Sequence, residues 1–409
     1  MHKTEIHEID KILTKNYHIV ATNPPYMGKS GMPEKLSAFV RINFPDSKQD
    51  LYACFMERCS QFTKCGGYFA MLTMHGWMFL SSFTKLRKKL FQNHILIQLL
   101  HLGAYGFELA DVGTIVQTAG FIMQKLSIPE YTGCYLDLRD IHDTEQKHQA
   151  FLRRKFKIYS VIQNYFLQIP DTPLIYWAHE KIFRLFQGKK LGDSVQAKQG
   201  ITTSDNQRFV RKWYEINYHS ICFHAKNSEQ ALQSRRKWFP YQKGGGYRKW
   251  YGNHIYVINY EQNGRELLAF HEKLNQQHVG GRIKNKEYYF RKSITWTFIA
   301  TKSGFRIGEE GFLFDVAGSS LFTETEQKRY TVLGFLCSST AEYLLHLLNP
   351  TMNIQAKDVE ALPYITPERG ENNKNFDRIQ ELVQENITLC KQDWDSFETS
   401  WDFKRHPLL

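Results

Sequence analysis

Residues Ile19-Val20-Ala21-Thr22 form an apolar run that passes directly into Asn23-Pro24-Pro25-Tyr26. This junction constrains the fold more than any other feature. Two adjacent prolines lock two φ angles and remove two backbone donors, so neither a helix nor a ladder can continue through them. The strand must end there, at a rigid turn rich in free carbonyls. The amide oxygen of Asn23 and the carbonyl of Pro24 can both accept hydrogen bonds from a single NH₂ group, turning the nitrogen lone pair toward an electrophilic methyl. Tyr26 adds a flat face on which a base lifted out of a duplex can stack. The plainer alternative is a proline-rich turn after a strand.

The surrounding pattern gives the turn a context. Leu51, Phe55, Cys59 and Phe62 make a helical stripe, expected to stop at Cys65-Gly66-Gly67. Tyr68 to Met74 is a continuous apolar run of the length of a buried parallel strand. Ser81-Ser82 can cap a helix carrying Phe83, Leu86 and Leu90, and His94 to Leu100 is a further strand. Alternating strands and helices predict an α/β sheet, in which ligands bind beyond the carboxyl ends of the strands, where Asn23 to Tyr26 lie.

Asn23-Pro24-Pro25-Tyr26, Asp50-Leu51-Tyr52, Gly66-Gly67-Tyr68, Gly103 to Phe107 and Val112 to Thr118 together resemble the catalytic half of amino-group DNA methyltransferases of the adenine-N6 kind. A closer likeness is to the large BREX phage-defence methyltransferases of the PglX family. It is carried by Met27-Gly28-Lys29, Pro45-Asp46-Ser47-Lys48, Thr73 to Leu80, Arg248 to Asn253 and Phe314 to Gly318. The resemblance implies the carboxyl-terminal half of a class I, Rossmann-like methyltransferase sheet, followed by a mixed α/β target-recognition domain and a helical tail. It implies S-adenosylmethionine as methyl donor, double-stranded DNA and other phage-defence proteins as partners, and no metal. Asn23, Pro24, Pro25 and Tyr26 would be catalytic, with Tyr26 and Phe107 sandwiching the base and Tyr105 a fallback for Phe107.

The family binds its cofactor through a glycine-rich turn and an acidic residue upstream of the Asn-Pro-Pro-Tyr strand, and only 18 residues precede Ile19. The expectation is therefore a central and downstream part of a larger enzyme, the cofactor half lying upstream or on a separate polypeptide. Gly244-Gly245-Gly246 lies between aromatic runs and is not expected to be a cofactor loop. Asp50 either shapes the cofactor pocket or caps its helix. Rival readings are cytosine-N4 or protein-glutamine methylation, and a DNA-binding specificity module without catalysis.

Composition agrees with a DNA-facing protein. The chain has 53 Lys and Arg against 41 Asp and Glu, a net charge of +12, which favours a polyanionic partner. At 409 residues and 42% hydrophobic content, two or three domains with real cores are expected. The sequence has no run of membrane-span length, no signal-peptide core and no CxxC pair among its seven cysteines, which points to a cytoplasmic protein with reduced thiols.

The expected organisation is a catalytic half over residues 1–140, a mainly helical connector over 141–190, a target-recognition domain over 191–365 and a helical tail over 366–409. In the third segment, basic residues interleave with aromatics. Arg235, Arg236, Lys243, Arg248, Lys249, Lys284 and Arg291 are the candidates for DNA contact, arginine at base edges and lysine at phosphates. The alternative is a solvated basic face over an aromatic core. His75 and His101 are expected to be packed or hydrogen-bonded rather than catalytic. Phe376, Ile379, Val383, Ile387, Cys390, Trp394 and Phe397 predict an amphipathic helix packed on the body, the alternative being a docking face for missing sequence.

Overall fold

In a computed structural model, residues 10–106, 116–276, 282–349, 353–364 and 374–408 are described. The chain divides into two compact units, Met1–Gln187 and Gly188–Leu409.

The first unit is built on a six-stranded mixed sheet. Its strands are β1 (Tyr17–Thr22), β2 (Thr63–Met74), β3 (Ile95–Gly103), β4 (Thr118–Gln124), β5 (Thr132–Asp137) and β6 (Lys157–Ile162), in the spatial order β1-β2-β4-β3-β5-β6. β1 pairs parallel to β2, with Ala21 beside Ala70 and Thr22 beside Met71, while β4 runs antiparallel to β2 and β3. Between its first three strands lie the helices α1 (Glu34–Asn43), α2 (Leu51–Phe62) and α3 (Thr84–Asn93). Pleating sends alternate side chains to opposite faces. Phe69, Met71, Leu99, Phe121 and Met123 are buried, with Phe69 packed edge-on against His94 at the end of α3.

Two local expectations shift. α2 ends at Phe62 rather than at Cys65–Gly67, and β2 starts at once. The Thr63 hydroxyl donates to the Cys59 carbonyl at 2.7 Å, and Lys125 Nζ donates to the carbonyls of Ser60 and Thr63, both at 2.8 Å. These donors finish the helix without a glycine. Likewise Ser81–Phe83 is a 3₁₀ turn, and α3 begins at Thr84 without a serine cap. The stretch 141–190 supplies more than a connector: Lys157–Ile162 is the edge strand of the sheet, and everything up to Gln187 clusters with the first unit. Its basic flank hides a short strand pattern, Lys-Ile-Tyr-Ser-Val-Ile.

The second unit holds two four-stranded sheets. β8 (Val210–Lys212), β9 (Trp238–Gln242), β10 (Tyr256–Asn259) and β13 (Leu313–Phe314) form one; β7 (Gln196–Lys198), β11 (Ser293–Thr295), β12 (Arg306–Gly308) and β14 (Ser320–Phe322) form the other. Phe209, Phe239, Tyr241, Tyr260, Phe290, Phe314 and neighbouring apolar residues make one aromatic core. α4 (Glu326–Leu336) and α5 (Ser339–Leu348) follow, and α6 (Lys374–Asp395) buries Phe376, Val383 and Trp394 as its spacing predicts. Gly334 of α4 meets α6: a Cβ there would lie 2.9 Å from Val383 Cγ2. No single helix among the described residues is long and apolar enough to cross a membrane.

Candidate active site and nucleic-acid surface

β1 ends at Thr22, and Asn23 to Tyr26 leave the carboxyl edge of the sheet as the proline argument requires. Pro24 is buried, Asn23 and Pro25 are exposed, and Tyr26 is half-buried. The Tyr26 hydroxyl lies 3.2 Å from both Asn23 Oδ1 and the Leu72 carbonyl of β2. Its single proton serves one acceptor at a time, so donation to Leu72 leaves the Asn23 amide oxygen open. Among the described residues nothing donates to the Pro24 carbonyl. Behind Tyr26 stands Tyr52, edge-to-face at 6.2 Å and 2% exposed. Burial pushes the phenols of both tyrosines up, so both remain neutral donors at physiological pH.

Asp50 closes the turn. Its Oδ1 accepts from the backbone amides of Met27 at 3.1 Å and Tyr52 at 3.3 Å, capping α2 and tying the segment after Tyr26 to the helix start. Of the two roles open to Asp50, the cap is present. Burial raises its carboxyl against these lowering bonds.

A second clamp escaped the sequence reading. Arg87 of α3 is fully buried and donates to the carbonyls of Trp77 (2.6 Å), Leu80 (2.7 Å), Asp171 (2.6 Å from Nη2) and Thr172 (2.9 Å). It fixes the His75–Leu80 loop that leaves the carboxyl end of β2. In the sequence it sits within Lys85-Leu86-Arg87-Lys88-Lys89, which looks like an ordinary basic face, and no local signal separates Arg87 from its neighbours.

His75 and His101 are hydrogen-bonded and packed. His75 Nδ1 lies 3.0 Å from His101 Nε2, and His101 Nδ1 lies 2.9 Å from the Tyr176 hydroxyl. Burial, aided by the Arg139 cation, pushes His75 down to about 4 and His101 well below its ordinary range, so the chain is neutral. Phe107 lies outside the described residues; Tyr105, its fallback, is exposed with a φ of 59°.

In the second unit the seven basic candidates separate into two groups. Lys243 is 2.8 Å from Asp315, which also accepts from the Tyr241 hydroxyl at 2.7 Å. Arg248 pairs with Asp393 at 2.8 Å and lies over the Trp394 ring, holding α6. Lys249 donates to the Cys337 carbonyl at 3.1 Å and faces Glu342. These three have intramolecular partners that spacing could not reveal. Arg235, Arg236, Lys284 and Arg291 are exposed, and Arg291 and Lys198 both lie against the Tyr288 ring.

Residues 1–107 match the family described as Eco57I restriction-modification methylase. The chain is 37% identical, over 98% of its length, to the adenine-specific methyltransferase PglX of Lacticaseibacillus casei (strain Zhang). It is 36% identical, over 97% of its length, to the adenine-specific methyltransferase BrxX of Escherichia coli O9:H4 (strain HS). It spans about a third of the length of each, 33% and 31%. Among solved structures, the Type IIL restriction-modification enzyme MmeI in complex with DNA aligns with a TM-score of 0.58 at 9% identity, over 94% of this chain and 50% of that one, a likeness of fold. The chain, with Asn-Pro-Pro-Tyr at the carboxyl end of the first strand of a mixed α/β sheet, is thus similar over nearly its whole length to about a third of the adenine-specific methyltransferases PglX and BrxX.

Proposed function

We propose that the chain provides the amine-holding and target-recognising parts of a DNA methyltransferase that transfers a methyl group to N6 of adenine in a phage-defence setting. The observation that carries this is the Asn23–Tyr26 turn: an exposed amide oxygen and an undonated proline carbonyl lie beside a tyrosine pinned by its hydroxyl. Asn23 Oδ1 and the Pro24 carbonyl accept the two N–H bonds of the amine, orient its lone pair and stabilise the positive charge that develops on nitrogen. Tyr26 supports the extruded base, with Tyr52 and Asp50 keeping the turn rigid.

S-adenosylmethionine, when bound, supplies the electrophilic methyl. The residues fit the transfer end of that molecule: Asn23 faces the amine, and Asp50, with Oδ1 spent on two amides, has only Oδ2 left toward a cofactor. The adenosine end calls for contacts beyond this set. In the second unit, Arg235, Arg236, Lys284 and Arg291 are the best-supported DNA contacts, since their side chains are exposed; Lys243, Arg248 and Lys249 serve first as internal struts.

Asn23→Ala, introduced into a methylation-competent assembly containing this chain, should lower turnover by about a hundredfold or more, with DNA affinity little changed. Single-turnover methylation with mass-spectrometric detection of N6-methyladenine is the measurement. Activity retained within a few-fold would reduce the motif to a structural turn.

A further inference from the structure

The segment between β5 and β6, most of which the sequence presents as a connector, leaves the same edge of the sheet as the Asn23–Tyr26 turn. One level of the sheet runs through Thr22, Met71, Phe121, Leu99, Tyr135 and Tyr159. β1, β2, β3 and β5 all cross it in one direction, since β1 is parallel to β2, β3 is parallel to β5, and β4 is antiparallel to both β2 and β3. Asn23 follows Thr22 directly, and the segment in question starts after Asp137, whose partner on β6 is Lys157. Residues 138–156 therefore project from the carboxyl edge at the far side of the sheet, five strand spacings from β1, or about 24 Å.

Within this segment the charges divide. Asp140 pairs with Lys157 at 2.7 Å, Asp143 caps the helix Thr144–Leu152, and Glu145 accepts from Gln149 at 2.8 Å. Arg139 is held by Asp137 at 2.7 Å, and the buried Lys147 ammonium donates to the Leu102 and Leu138 carbonyls. Arg153, Arg154 and Lys155 are exposed, and among the described residues their side chains have no hydrogen-bonding or ionic partner. They occupy the turn that ends the helix. The Arg154 amide donates to the Phe151 carbonyl at 3.1 Å and the Lys155 amide to the Ala150 carbonyl at 2.8 Å, with Arg154 at a φ of 54°. This is a Schellman motif, and its left-handed position favours glycine. The helix dipole rewards a cation here, but Arg153 and Lys155 already supply it. Arginine at the strained position adds nothing the fold requires.

We infer that Arg153, Arg154 and Lys155 form a phosphate-contact patch of the first unit, additional to the basic residues of the second. Three free cations on a fixed turn suit a row of phosphates, and they lie on the edge that carries the amine-holding turn. The inference rests on the reading that this turn receives a base from duplex DNA. For a duplex lying along the edge, about 24 Å is about seven base pairs, so the patch grips the backbone away from the extruded nucleotide. It contributes affinity and orientation and leaves the choice of sequence elsewhere.

The test follows binding of this chain to a labelled duplex longer than that span, by fluorescence anisotropy over a range of salt concentrations. Arg154→Gly removes one charge and relieves the left-handed turn. It should leave the melting temperature unchanged or raised, weaken binding about threefold or more and flatten the salt dependence by about one unit of slope. Combined with Arg153→Gln and Lys155→Gln, it should flatten the dependence by about three units, alike for all sequences. Affinity and slope equal to the parent's would overturn the proposal. So would affinity lost only where the melting temperature also falls, which would assign the cations to the helix end. A parent chain that binds no duplex would overturn this patch and the contacts of the second unit together. If the patch behaves as expected but a methylation-competent assembly containing this chain yields no N6-methyladenine, the phosphate contact stands and the assigned reaction falls.

Discussion

At the residue scale, the turn owes its shape to covalent constraint and its stiffness to two clamps. Asp50 uses one oxygen for two amides, a helix cap that also restrains the loop after Tyr26. Arg87 holds the carbonyls of Trp77 and Leu80 in the adjoining loop and those of Asp171 and Thr172 and, although burial lowers its guanidinium to about 10, keeps its charge. Arg87→Met should leave those carbonyls unpaired in the interior and cost about 3–5 kcal/mol, measured by urea unfolding. Arg87→Lys, lacking the planar fork, should recover only part of it. The histidines set the acid limb. Burial holds His75 and His94 at about 4 and His254 at about 3, against about 6.5 in the unfolded chain. Because the unfolded state binds protons first, stability should be level above pH ~6.5 and fall as pH drops toward ~4. Urea midpoints at neutral pH and at two acidic points check the slope, which should flatten in His94→Gln.

At the scale of elements, periodicity predicted helices well and their ends poorly. α6 buries Phe376, Val383 and Trp394 of its stripe, because 3.6-residue spacing is a local property, whereas in α2 Phe55 is 38% exposed and Tyr52, Cys54 and Met56 turn inward with Leu51 and Cys59. The ends depended on partners distant in sequence: Lys125, from the end of β4, caps the carbonyls that terminate α2. The contact between α4 and α6 depends on the absence of a side chain at Gly334. Gly334→Leu should force the helices apart and destabilise the second unit by about 1–3 kcal/mol, followed through the fluorescence of buried Trp394, whereas Gly334→Ala should cost less.

At the scale of the whole molecule, separate roles for the two units make a separable prediction. Exchanging residues 191–349 for the corresponding segment of a relative should change the methylated DNA motif while N6-methyladenine remains the product, as read by methylome sequencing. An unchanged motif would place recognition elsewhere. Neutralising Lys284 should weaken binding to all DNA sequences alike and flatten the salt dependence by about one unit of slope. The same change at Lys249, tied to Cys337 and Glu342, should instead lower stability. The sequence by itself determined the strand stop at Asn23, the α/β alternation around it, the amphipathic tail and the likeness to the PglX methyltransferases, because proline geometry, periodicity and motif spacing are written along the chain. Only the tertiary structure decided that Arg87 is a buried clamp while Lys243, Arg248 and Lys249 are struts, and which residues of the first sheet face the core. A basic side chain has the same letter whether it meets a phosphate or a carboxylate, and the strands that share a face are chosen by a register spanning more than a hundred residues.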